Sequence, residues 1–229
     1  MNSRCSFSGL AITPDELPPH EVITGWGIRD QPAGTIAVLL RRAQTGGAVL
    51  LRDAALMDFA SACRRAGHPV LLSCTAEEIW TSGINESVLR EANLHGIQVK
   101  GDPTAADFAE ASRRIGPDMV LGRSAHGPAP SSEPPPWSYT AVAPIYDTAP
   151  SHALKPTNGM GLAQLRAWCR VTPNVFALGG IHASNLRACV AAGAAGVAGI
   201  RLFFGAPGLV VDNVEALGRA LADDLRNPR

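Results

Sequence analysis

Lysine is nearly missing from this chain. Its 229 residues hold two, Lys100 and Lys155, against 18 arginines, so phosphate chemistry that requires an ammonium group has only two candidates. Basic residues do not outnumber acidic ones, at 20 of each. Nucleic-acid surfaces carry a positive stripe or patch, so this balance speaks against a polyanion partner. The five cysteines, Cys5, Cys63, Cys74, Cys169 and Cys189, form no CxxC pair and no Cys/His cluster of zinc spacing. They read as reduced, mostly buried thiols of a cytoplasmic protein. The opening MNSRCSFSGLAITPDELPPH has no charged stretch leading into a long apolar run. The most apolar tract, ACVAAGAAGVAGIRLFF, is rich in Gly and Ala and is broken by Arg201, which argues against a membrane span. No GxGxxG follows the first expected strand, which weakens a dinucleotide-binding reading.

What is present is an alternation. Short apolar runs occur at Glu21–Thr24, Ala48–Leu51, Val70–Leu72, Ile97–Val99, Met119–Leu121, Thr140–Ala143, Val175–Leu178 and Gly196–Ile200. They are continuous and mostly aliphatic, as strands covered on both faces of a parallel sheet are. Between them, helical spacing is found over Thr35–Gln44, Ala55–Ala66, Glu86–Asn93, Ala105–Ile115, Leu162–Cys169, Ser184–Ala192 and Asn213–Leu225. Ser184 stands where an N-cap is expected, and Gly67, Gly116 and Gly193 stand where helices should end. The crossover after the fifth strand, GPAPSSEPPPWSY, holds five prolines and cannot be an ordinary helix interior. Eight β/α units predict an α/β fold of the closed (β/α)8 TIM-barrel type, with a Pro-rich loop in place of the fifth helix. Residues 1–19 read as an N-terminal extension and 20–229 as one barrel domain.

In such barrels chemistry gathers at the C-terminal ends of the strands. Gly179 and Gly180 follow the seventh expected strand, and Gly199 and Ile200 end the eighth. Glycines there let backbone N–H groups approach an anion, which makes this pair of loops a phosphate-site candidate, although tight turns alone also use glycine. Arg123, Ser124 and His126 mark the end of the fifth strand, where an imidazole suits proton transfer. The loop after the sixth strand is long and carries Tyr146, Asp147, Thr148, Ser151, His152 and Lys155, as a substrate clamp or a solvated connection can. Arg52 and Asp53 close the run VLLRD, and an arginine there can pair with a carboxylate or phosphate.

The stretch from LGRSAH through APIYDT and ALGGIHASN to GAAGVAGI resembles the thiamine phosphate synthase/TenI superfamily of (β/α)8 barrels. The resemblance implies a thiazole-phosphate site near Gly179, Gly180, Gly199 and Ile200, with Asp53, Ser124, Thr148 and His152 as further substrate contacts. It is nearer to the TenI branch, whose aminothiazole tautomerases move protons without a pyrophosphate substrate or metal. The shared features are Arg52-Asp53 and the run Gly122-Arg123-Ser124-x-His126. The catalytic roles implied are acid/base transfer for His126 and charge compensation of a substrate carboxylate for Arg52.

The synthase pattern is eroded. Its Gln-x-Arg-x-Lys motif falls on Leu50, Arg52 and Ala54, and its Asn-Asp pair on Ser73 and Cys74. Magnesium needs carboxylate oxygens, and only Asp102 is a weak candidate ligand. The expected protein is a cytoplasmic thiazole-phosphate enzyme without a cofactor, with no nucleic-acid or membrane partner, and a homo-oligomer is left open. The alternatives are a magnesium-dependent thiamine phosphate synthase and a non-catalytic relative that binds a phosphorylated heterocycle.

Overall fold

The computed structural model describes residues 6–16, 36–42, 45–132, 134–148 and 158–226. Eight parallel strands close in chain order into a barrel: β1 (Gly9–Ile12), β2 (Ile36–Leu40), β3 (Val70–Thr75), β4 (Gly96–Lys100), β5 (Val120–Ala125), β6 (Tyr139–Val142), β7 (Val175–Leu178) and β8 (Gly196–Gly199). Around them run α1 (Gly47–Leu50), α2 (Ala54–Arg65), α3 (Ala76–Thr81), α4 (Glu86–Glu91), α5 (Ala105–Ile115), α6 (Gly161–Val171), α7 (Leu186–Ala191) and α8 (Pro207–Arg226). The expected (β/α)8 fold is therefore present, and the Pro-rich crossover between β5 and β6 has no helix among its described residues.

The first two units differ from the sequence reading. The expected strand Glu21–Thr24 lies outside the described residues. The barrel begins instead at Gly9–Ile12, inside the segment read as an extension, where β1 pairs with both β2 and β8. Four residues are too few to show a period, so this strand left no pattern. The second strand is Ile36–Leu40, within the stretch expected to be helical, while the expected strand Ala48–Leu51 is largely α1. IAVLL is buried at all five positions. A fully buried run satisfies strand and helix spacing alike, and its place between β1 and β3 decides the matter.

Alternation along the strands sorts side chains into two cores. Leu10, Ile12, Ala37, Leu39, Leu71, Tyr139, Ala141, Phe176 and Ala198 fill the barrel. Phe7 plugs its lower end, with its ring 5.5 Å from Tyr139 and 5.4 Å from Phe176. Residues of the opposite parity, such as Val38, Leu72, Val99 and Leu121, pack outward against the helices. The helix ends follow local chemistry. Thr75 and Thr104 form capping boxes with Glu78 and Asp107, and Gly67, Gly116 and Gly193 take the positive φ values of helix exits. The expected start at Ser184 is displaced: α7 begins at Leu186, and Ser184 Oγ bonds His182 Nδ1 at 2.9 Å instead. Cys63, Cys74 and Cys189 are buried free thiols and Cys169 is half-buried. No helix among the described residues is long and apolar enough to cross a membrane.

Candidate active site

The β4 and β5 ends carry the ionisable groups. Asp102 sits just past β4 with φ 55°, a left-handed conformation that Asp tolerates better than most residues. That turn points its carboxylate at the residue following β5. Oδ1 accepts the backbone N–H of His126 at 2.6 Å, and Oδ2 lies 3.2 Å from His126 Nδ1. A carboxylate only accepts, so Nδ1 is the donor in this contact and Nε2 is left outside it. His126 keeps 47% of its side-chain surface exposed, so that nitrogen is open to a ligand.

Below this pair, the inward-facing side chains of β4–β6 form a buried polar chain. Gly122 is needed because a Cβ there would stand 2.2 Å from the Tyr139 ring. Tyr139 donates its hydroxyl to Gln98 Oε1 at 2.8 Å, and Gln98 Nε2 donates to Ser124 Oγ at 3.1 Å. Ser124 is thus fixed under the barrel mouth, one residue from the turn to His126. Ser73 pairs in register with Gln98, and its buried hydroxyl has no hydrogen-bond partner among the described residues.

Arg123 has the opposite parity and faces the helix layer. Its Nε donates to Thr140 Oγ1 at 3.1 Å, and its guanidinium lies 5.8 Å from the Trp137 ring and 5.2 Å from the Trp168 ring. Only 8% of the residue is exposed, and Nη2 is buried with no hydrogen-bond partner among the described residues. Burial holds the guanidinium pKa below its ordinary value, while the negative charge of Asp102 raises it. A cavity of about 510 Å³ opens beside it, bounded by Asp102, His126, Trp168 and the prolines of the crossover.

The β7 and β8 ends are built from backbone. Gly179 and Gly180 have φ 96° and 65°. A Cβ on them would meet Pro144 and Tyr146 at 2.7 Å, so both glycines are required for the loop after β6 to approach. Asn185 Nδ2 donates to the Gly180 carbonyl at 2.9 Å while Oδ1 accepts from His182 N at 2.9 Å. Asn213 on α8 joins the two loops: Oδ1 accepts from Ala183 N at 3.1 Å, and Nδ2 donates to Leu202 O at 3.0 Å. Gly199 ends β8, and Ile200 O closes a turn by accepting from Phe203 N and Phe204 N.

The base of the long loop after β6 is clasped, with Asp147 Oδ1 accepting from Gly159 N at 2.8 Å and Gly161 N donating to Ile145 O at 2.9 Å. Thr148 is half-buried there; Ser151, His152 and Lys155 lie outside the described residues. Burial against Cys189 pushes the Tyr146 hydroxyl up to about 12, so it stays a neutral donor. Arg52 is exposed on the turn after α1, and among the described residues it makes no contact with His126 or Asp102. Asp53 caps α2 through Leu56 N at 3.1 Å and pairs with Arg42 at 2.6 Å.

Among the described residues, the donors expected of a magnesium site do not converge. No group of three His, Cys, Asp or Glu residues that could hold a metal is found among the described residues. Both oxygens of Asp102 are engaged by His126, and Cys74 faces the helix layer with its thiol pKa raised by burial. Sequence reasoning missed Gln98, Tyr139 and Asn213. Gln98 left one signal, as a lone amide inside the apolar strand GIQVK.

Comparison with known proteins gives a consistent result. The family described as thiamine monophosphate synthase matches residues 33–203. A thiamine-phosphate synthase of Geobacillus kaustophilus is 32% identical over 114 residues, 49% of each chain, so the match spans about half the length of that relative. In three dimensions the chain is similar to a thiamine phosphate pyrophosphorylase from Pyrococcus furiosus, with TM-score 0.64, 17% identity, and coverage of 96% of this chain and 100% of the other. A tryptophan synthase complex from the same organism gives TM-score 0.61 at 14% identity, with 96% and 100% covered. At these identities the structural likenesses speak for the fold alone.

Proposed function

This chain belongs to the thiamine monophosphate synthase family, a family of thiamine biosynthesis enzymes, and on that premise we propose that it is a thiazole-phosphate tautomerase of the TenI kind. The observation that carries the reading is the Asp102–His126 pair at the open end of β4 and β5. Ring tautomerisation removes a proton from one atom and returns one to a nearby atom, with no net change in protons or electrons. His126 Nε2 takes the proton, the imidazolium is stabilised by the Asp102 carboxylate beside Nδ1, and the same nitrogen gives the proton back. Such transfer contributes about 10²–10⁴ in rate. Ser124 lies under the ring, and backbone N–H groups around Gly179, Gly180, Gly199 and Ile200 receive the phosphate. Arg52 is the proposed partner of the substrate carboxylate. Asp53 is committed to Leu56 and Arg42, so its part is to fix the turn that carries Arg52.

The second reading, magnesium-dependent coupling of a pyrimidine pyrophosphate to a thiazole phosphate, is favoured by the named synthase relative. It lacks a donor set here: Ser73 and Cys74 replace the amide and carboxylate, and Asp102 is engaged by His126. Aminothiazole isomerisation followed by absorbance tests the choice. His126→Ala is expected to lower kcat by roughly 10²–10⁴ with a small change in KM. Asp102→Asn, which tolerates the left-handed backbone, is expected to lower it at least about tenfold. Unchanged turnover in His126→Ala overturns the assignment. Magnesium-dependent coupling by the wild type moves the chain to the second reading, and tight ligand binding with neither activity makes it a binding protein.

A further inference from the structure

The buried polar chain beneath the barrel mouth has a direction. It starts at Tyr139, fully buried and set among the rings of Phe7 and Phe176. The phenol donates to Gln98 Oε1 at 2.8 Å, since an amide oxygen carries no proton. Gln98, itself buried, donates from Nε2 to Ser124 Oγ at 3.1 Å. That bond uses a lone pair of the Ser124 hydroxyl and leaves the hydroxyl proton to be placed elsewhere. Among the described residues it has no acceptor. Ser124 is the last inward-facing residue of β5, and it lines the cavity together with Asp102 and His126. The side of the hydroxyl left open is therefore the side of the mouth.

We infer that Gln98 is a positioning residue: held by Tyr139, it makes the Ser124 hydroxyl a fixed hydrogen-bond donor to the ring of a substrate lying against His126. The inference rests on the tautomerase reading and adds to it the group that stabilises charge. When His126 Nε2 takes a proton from the ring, the electron pair of the broken bond stays on the ring. A donor already aimed there stabilises that charge with no reorganisation at the moment of transfer. Ser124 keeps its own proton throughout, and His126 returns the other one. A serine free to turn would also present a lone pair to the ring. Tyr139 prevents this by occupying Oε1, which keeps the amide nitrogen on the Ser124 side. Each bond in such a chain also polarises the next.

The test compares aminothiazole isomerisation by the full chain with that of Gln98→Glu, Ser124→Ala and the double variant, with thermal unfolding as a check on the fold. A carboxylate only accepts, so in Gln98→Glu it draws the Ser124 proton down, away from the substrate. In mildly alkaline buffer kcat is expected to fall at least about tenfold, with KM within about threefold of the wild type. Burial raises the pKa of the new carboxyl above its ordinary value of about 4.3. As pH falls it takes up a proton, and its O–H then donates to Ser124 as the amide did. The ratio of variant to wild-type kcat should therefore rise toward acid, a readout in which the titration of His126 cancels. Ser124→Ala should lose about as much as Gln98→Glu, and the double variant no more than either. If Gln98→Glu does not fold, Gln98→Met, of similar volume, gives the same test of additivity. The inference alone is overturned if an active wild type keeps its kcat in the Gln98 variants, if the ratio is flat with pH, or if the two losses multiply. A wild type without isomerisation overturns the tautomerase reading, and this inference with it.

Discussion

The two sides of the barrel mouth are built on different principles. At β7–β8 the parts are glycines and carbonyls, and the polar side chains there, Asn185 and Asn213, are satisfied by backbone. At β4–β5 the parts are an exposed imidazole, a carboxylate in a left-handed turn and a buried guanidinium with an unused donor. One side has its side-chain amides closed on backbone, which shapes the loops proposed to hold a phosphate. The other has capacity left over, which is where a ligand or a proton can be taken up. The contrast predicts that changes on the first side cost stability, and phosphate binding through it, whereas removing groups from the second changes rate at little cost to the fold.

Asn213→Ala should break the comparison open most clearly. Its amide bridges the β7 and β8 loops, and the residue is 8% exposed. Deleting it leaves the Ala183 N–H and the Leu202 carbonyl without partners, at about 1–3 kcal/mol for each group that water cannot reach. Ala183 is exposed and the Leu202 bond is buried, so a loss of roughly 1–3 kcal/mol in urea unfolding is expected, together with weaker phosphate binding. Wild-type stability would mean that the loops hold themselves.

Gly180→Ala comes next. With φ at 65° and Tyr146 Cβ 2.7 Å from the new methyl, the substitution adds backbone strain of about 1–3 kcal/mol and pushes back the loop after β6. Thermal unfolding and KM should both register it. A variant that melts with the wild type would show that the turn relaxes freely, and the packing argument for the glycine would fall.

These two sides also differ in how much of them the sequence disclosed. ALGGI advertises its turn, since two glycines after an apolar run have few other uses, and His126 stands beside a strand end in the same way. The Asp102 partner did not, because the contact joins residues 24 apart through a left-handed turn that no spacing rule foresees. Asn213 was hidden as an ordinary polar residue at the start of an amphipathic segment. Among the strands, β3 to β8 were legible as aliphatic runs, several of them closed by glycine. IAVLL was not, because Ile36, Leu39, Leu40 and Ala43 also trace a helical stripe, and only pairing with β1 and β3 separates the two. The prolines announced a missing helix; that the gap would leave Arg123 short of a partner needed the fold.

The smallest expected effect is the sharpest test of the comparison. Arg123→Met removes a charge that is buried with one hydrogen bond, to Thr140, and two ring contacts. Those ring contacts are worth about 0.5–2 kcal/mol each, whereas desolvating a lone cation costs several kcal/mol. The two sums are close, so methionine of similar length is expected to change unfolding free energy by no more than about 1 kcal/mol, in either direction. On the β7–β8 side no buried polar residue should be so dispensable. If calorimetry instead finds a loss near that of Asn213→Ala, Arg123 is holding the crossover to the barrel, and the two sides of the mouth are built alike.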